Sequence, residues 1–136
     1  MSALIKPKPA ADTKEGLLAN LGNLSGIHIG KIQVLLAIYV RPQVTASGIA
    51  LTQKYQKEDI YQGKVGLVVK IGSGCTFDHL DRPPQLHDWV VVRPSDTWPF
   101  DINTDTKALF ADEFTPCRLA YQDHIRAVVG HPGMVW

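Results

Sequence analysis

The chain has 136 residues, 45% of them hydrophobic and 20% charged, with a formal net charge of +1. That length suits one domain and not two, and it allows about two-thirds of the unfolded surface to be buried. A near-neutral chain without blocks of like charge points away from nucleic acid and membranes as partners, and no apolar run approaches the roughly 20 residues of a bilayer span.

The first residues are polar and contain proline, so no signal peptide is expected. Cys75 and Cys117 belong to no CxxC pair and read as free thiols in a reducing compartment. Lys6-Pro7-Lys8-Pro9 reads as an extended arm without a core of its own. Asp12-Thr13-Lys14-Glu15 then has the form of a helix start, Asp12 capping the first N–H groups and Glu15 reaching back. Leu17, Leu18, Leu21 and Leu24 follow as a narrow apolar stripe that Gly22 and Gly26 weaken and end. A helix this short is marginal alone in water. Its stripe is expected to lie on another surface, either that of its own domain or, preferred, that of a neighbouring subunit.

Ile27 to Gly30 reads as a short strand. Val34 to Val40 and Gly63 to Gly72 are longer runs rich in Val, Ile and Leu, bounded by Pro and Gly, and read as strands. The polar segment between them is long for a compact domain and holds one apolar island, Ile49-Ala50-Leu51. Residues 73–86 read as loop, Asp88 to Pro94 as a strand closed by its proline, and Trp98 to Ile102 as a short strand. Arg118 to Tyr121 and Ile125 to Val129 follow, with a tight connection at Gln122-Asp123-His124. Short strands at regular spacing predict an all-β fold, a small β-barrel. Its core is expected from Val34, Leu36, Ile38, Val40, Val65, Leu67, Val69, Ile71, Val90, Val92 and Leu119, one set facing inward by pleat alternation.

Chemistry is sparse. Cys75, His79 and His87 with Asp78 and Asp81 are the best metal candidates, but Cys-x3-His alone lacks the paired spacing of structural zinc. Cys75 with His124 is a conceivable nucleophile and base without a flanking motif. The glycines at 63, 66, 72 and 74 form no phosphate-binding pattern and serve strand ends and bends. Asp96, Asp101, Asp105, Asp112 and Glu113 read as a solvated face, and Trp89, Trp98 and Phe100 as core or subunit contacts. Trp136, next to Met134 and Val135, is expected to dock on a neighbouring chain or on the parent barrel. No catalytic residue, cofactor or metal is expected.

Five pieces, in order, resemble the GroES-type co-chaperonin family. Tyr39-Val40-Arg41 resembles the end of its opening strand, and Ala46-Ser47-Gly48-Ile49-Ala50-Leu51-Thr52 is similar to its mobile loop. Gln62 to Gly72 resembles its Gly-x-Val strand ending in glycine, His87-Asp88-Trp89-Val90-Val91-Val92 its Gly-Asp-x-Val strand, and Ile125-Arg126-Ala127-Val128-Val129 its closing strand. Gln62 to Val68, Trp89 and Arg93-Pro94-Ser95-Asp96 look like the branch encoded by tailed bacteriophages. The chain departs from the family in a shorter stretch before Ile49, in the added residues 1–32, in His87 where glycine is usual, and in residues 73–86.

The resemblance implies a GroES-like, partly open β-barrel over residues 33–130 with a loop at 42–62. An N-terminal arm with a short helix (1–32) and a C-terminal tail (131–136) complete the expected organisation. It also implies a non-enzymatic protein. The preferred expectation is a virion structural protein, a capsid decoration or head–tail component assembled in the host cytoplasm. It would bind its own copies, the major capsid protein or other virion proteins through Ile49, Ala50, Leu51, Leu17, Leu18, Leu21, Leu24 and Trp136. The alternative is a phage co-chaperonin in the host cytoplasm whose Ile49, Ala50 and Leu51 dock on a chaperonin ring.

Overall fold

The computed structural model describes residues 6–7, 13–40, 64–104 and 113–135. They form β1 (Lys6–Pro7), α1 (Lys14–Leu21), β2 (Gln33–Ile38), β3 (Val65–Ile71), β4 (Trp89–Val91), β5 (Trp98–Pro99), β6 (Glu113–Phe114), β7 (Cys117–Tyr121) and β8 (Ala127–Val129). Six of these strands make one antiparallel sheet in the order β5-β7-β2-β3-β4-β8. β1 pairs with β6 in a two-stranded parallel ribbon, so the arm is extended as expected but tied to its own chain.

The fold is mostly sheet, but the sheet is not closed into the expected barrel: among the described residues, β5 and β8 remain its two edges. The reason lies in β2 and β3. Every residue of Val34–Ile38 and of Val65–Val69 is buried. A run that is apolar on both faces needs a cover on each side. One cover is α1, in a cluster with Leu35, Ala37, Leu67, Val69 and Trp89. The other is the 73–88 loop with Phe77, packed with Ile125 against Val34, Leu36, Val68, Val90 and Val92.

Nine of the expected core residues are buried, and Ile71 and Leu119 are partly buried against the clusters. They do not share one face, however. Leu36 stands opposite Val68 and Leu35 opposite Lys70, which leaves Val69 as an extra residue in β3. Such a bulge breaks the pleat alternation by one position. The register that sets Ala37 opposite Leu67 puts Val65, Leu67 and Val69 on the helix face with Leu35 and Ala37, while Val34, Leu36 and Val68 face the loop and the bulge turns Ile71 to that side too. Ile27 to Gly30 is not a strand, and Ile102 makes only an isolated bridge to Thr115.

Glycine is forced at one close crossing. A Cβ on Gly72 would come within 2.3 Å of the Gly30 and Lys31 carbonyl oxygens. Position 87 is subtler. His87 has φ +69°, the left-handed region. Its N–H donates to the Val68 carbonyl (2.8 Å), and the Val68 N–H donates to the Asp88 carbonyl (2.9 Å). His87 and Asp88 thus oppose one residue, in a bulge whose first residue normally is glycine. The Asp88 N–H also donates to the Gln85 carbonyl, closing the preceding turn. The histidine keeps the backbone that glycine would adopt.

Two stability measurements follow from this packing. Leu21 is 1% exposed, so Leu21→Ala costs roughly 2–5 kcal/mol in urea unfolding, and Leu18→Ala costs less. At position 87, His87→Gly leaves the unfolding midpoint unchanged or raises it. His87→Val lowers stability by about 1–2 kcal/mol, because a β-branched side chain resists positive φ.

Candidate functional site

The residues expected to bind partners do not come together. Ile49, Ala50 and Leu51 lie in 41–63, outside the described residues, as does Trp136. The four helix leucines belong to the chain's own core: Leu17 and Leu21 are buried, and Leu18 and Leu24 pack partly buried against the same cluster. Of the two surfaces expected for it, the stripe lies on that of its own domain and not on the preferred one, a neighbouring subunit's.

The helix is held at both ends by side-chain hydroxyls. Thr13 is the N-cap, its oxygen accepting from the Gly16 N–H at 3.0 Å. The cap is one residue later than expected. At the other end, Thr104 donates to the Leu21 carbonyl (2.6 Å) and Thr115 to the Asn20 carbonyl (3.2 Å). These satisfy carbonyls that a helix C-terminus leaves without partners. The tail also turns back onto its own chain, with Pro132 buried and Val135 packed partly against the helix-side cluster.

The residues weighed for metal or nucleophilic chemistry take separate structural contacts. His79 donates from Nε2 to the Ile125 carbonyl at 2.8 Å. The Asp88 carboxylate accepts from the Gln85 N–H and from Arg82. The Cys75 thiol lies against the Lys31 and Gln33 carbonyls, and burial pushes its pKa up. His124 donates from Nδ1 to the Asp96 backbone carbonyl at 3.1 Å. Burial, reinforced by the charge of Asp101, raises the Cys117 pKa strongly. Among the described residues, no group of three His, Cys, Asp or Glu side chains could hold a metal ion.

What the fold does assemble is a corner at the β5–β7 edge. Trp98 stands opposite Leu119, and Tyr121 is two residues further along β7. Pleat alternation therefore puts Trp98, Leu119 and Tyr121 on one face. Trp98 is 67% exposed and Tyr121 46%. With Gln33, Asp96 and His124 they line a groove of about 240 Å³. Trp89 behaves in the opposite way, buried with its ring edge-to-face on Tyr39 at 5.8 Å.

Asp96, expected on a solvated face, is instead the electrostatic centre of this corner. Its carboxylate accepts from Arg93 (3.0 Å) and Arg126 (3.3 Å). The hydrogen bond from Arg93, aided by that from Arg126 and by nearby positive charge, outweighs desolvation and holds the carboxyl below its usual range. The sequence signal for the corner was the Trp98-Pro99 pair, an aromatic next to a residue that cannot extend a sheet. Pairing of Tyr121 with it was not visible, because it depends on β7 lying between β5 and β2.

No family model matches the chain, and comparison with curated proteins gives no match.

The depressed Asp96 pKa gives a signed pH dependence. The folded chain binds fewer protons at this group than the unfolded chain, so its contribution is present above the ordinary carboxylate pKa. It is lost as pH falls through the lower folded value. Asp96→Asn should lower the melting temperature at neutral pH. The gap from the unaltered chain should close in thermal melts taken below the usual carboxylate range.

Proposed function

We propose that the chain is a non-enzymatic structural protein of a tailed-bacteriophage particle, a capsid decoration or head–tail component related to the GroES-type family. The observation that carries this is the order of the matching pieces, from Tyr39-Val40-Arg41 to Ile125–Val129. Three of them map onto consecutive sheet neighbours: β3, β4 and β8 lie in the Gly-x-Val piece, the Asp-x-Val piece and the closing strand. The positive φ at His87 supports the same reading, since the family has glycine there.

Other features favour a particle component over a folding cap. Both faces of the sheet are covered by the chain's own helix and loop, giving a solid body rather than an open-ended barrel. Large apolar side chains remain exposed at Ile32, Leu86, Trp98, Tyr121 and Met134. Ile32 and Tyr121 flank the same corner, where the Gln122 N–H donates to the Ile32 carbonyl. Clustered exposed apolar groups mark contact surfaces. In this reading the partners are further copies of the chain, the major capsid protein or other virion proteins. No helix among the described residues is long and apolar enough to cross a membrane.

The co-chaperonin reading rests on one specific feature, the likeness of Ala46 to Thr52 to a mobile loop. The two separate experimentally at Ile49 and Leu51. In the particle reading, mass spectrometry of purified virions finds many copies of the chain. The Ile49→Asp, Leu51→Asp double variant then lowers that occupancy or the heat resistance of the particle. In the other, the chain is captured stoichiometrically by a chaperonin, the double variant abolishes capture, and virions contain none. Burial of each side chain is worth roughly 1.5–3 kcal/mol, multiplied by avidity in a ring, so the loss should be complete.

A further inference from the structure

We propose that the corner formed by Trp98 and Tyr121 is a binding site for a neutral saccharide, with the flat C–H face of a pyranose ring lying on Trp98. It does not rest on the particle reading, and it assigns to a sugar a corner which that reading counts among the exposed contact surfaces, so it applies to assemblies that leave Trp98 and Tyr121 uncovered.

Exposed aromatic faces carry negative charge density, which suits the weakly positive C–H groups of a sugar ring. Trp98 and Tyr121 supply two such side chains on one face of the sheet, with Leu119 between them. The groove of about 240 Å³ is smaller than the roughly 300–1,000 Å³ of sites that enclose a drug-sized ligand, and suits a sugar ring or two.

The polar groups around it are fixed, each with one function spent and one left over. His124 donates from Nδ1 to the Asp96 carbonyl, which leaves Nε2 for a further hydrogen bond. Gln33 accepts from the Gly30 N–H through Oε1, which leaves its NH2 as a donor. The Ser95 hydroxyl lines the same groove and can do both. The backbone contributes once more. Gln122 and Ile38 pair their N–H groups with Ile32 and Pro116, so even-numbered residues of β7 turn toward β2. Odd-numbered residues turn toward β5, where Phe100 donates to the Cys117 carbonyl and Trp98 stands opposite Leu119. Tyr121 comes next in that series, and its N–H points past the end of β5. A mixed, immobile set of donors and acceptors matches hydroxyl groups, which use both.

Two observations narrow the ligand. Among the described residues the groove lining holds no Lys or Arg, and the nearby Arg93 and Arg126 both hydrogen-bond to Asp96, so the lining itself offers no guanidinium or ammonium to a carboxylate or phosphate. An added peptide strand is disfavoured along β5, because Pro99 falls at the outward-facing position and has no N–H to give.

The test is NMR titration of the full chain with cellobiose, lactose, maltose and diacetylchitobiose. Expected is a saturable shift of the Trp98 indole N–H and the Gln33 and Tyr121 amides with at least one of them. Trp98→Ala should remove the amide shifts without changing the melting temperature, since the side chain is mostly solvent-exposed, and Trp98→Phe should restore part of them. No shift with any of the four up to the limit of solubility overturns the proposal. So do shifts that persist in Trp98→Ala, or a response of Trp98 to a proline-rich peptide and to none of the sugars.

Discussion

Everything in this molecule follows from the pairing of β2 with β3. The two strands are apolar at almost every position, so neither face of the pair can meet water. Burying a large aliphatic side chain is worth roughly 1.5–3 kcal/mol, and Val34 to Ile38 alone presents five buried residues in succession. A sheet with such a centre must be roofed twice. The chain does this with the two least regular parts of its sequence: a helix of eight residues on one side and a loop on the other.

Each roof needs its own fastening, because neither has enough apolar surface to hold itself. The helix is secured by Thr104 and Thr115 on its last carbonyls. The loop is secured by Gln122, whose Oε1 accepts from both the Thr76 and Phe77 N–H groups at 2.8 and 3.0 Å, and by His79 on the Ile125 carbonyl. The glutamine fixes Phe77 in a positive-φ conformation and delivers its ring into the core. The buried Arg118 is similarly accommodated, its guanidinium reaching the Thr97 hydroxyl at the β5 end of the sheet. Polar side chains far apart in sequence thus hold apolar layers in register.

The strands were legible because their signals are local: β-branched runs ended by Pro94, Gly72 or a polar turn. The helix was legible for the same reason, although Thr13 and not Asp12 caps it. What could not be read was which side chains share a face. The register that sets Ala37 opposite Leu67 divides the expected core between two faces, the extra residue at Val69 turns Ile71 to the second, and nothing in the composition of Gly63 to Gly72 announces either. Continuous apolar runs fit a barrel wall and a sheet covered on both faces equally well, so the sequence does not decide between the chain's own core and a neighbouring subunit for the helix stripe. The exposed corner was hidden for a related reason: Trp98 and Trp89 look alike in sequence, and only their places in the sheet, edge against centre, separate them.

The fastening of the helix carries a consequence for synthesis. Asn20 and Leu21 precede their hydroxyl partners by 95 and 83 residues, and β2 waits for β7 before its second edge is paired. A ribosome therefore releases the helix long before the hydroxyls that fasten it exist. Contacts of such sequence separation form slowly, after costly loop closure. The nascent β2–β3 pair carries roofs that stay unfastened until the last third of the chain arrives, and is most prone to aggregation during that interval.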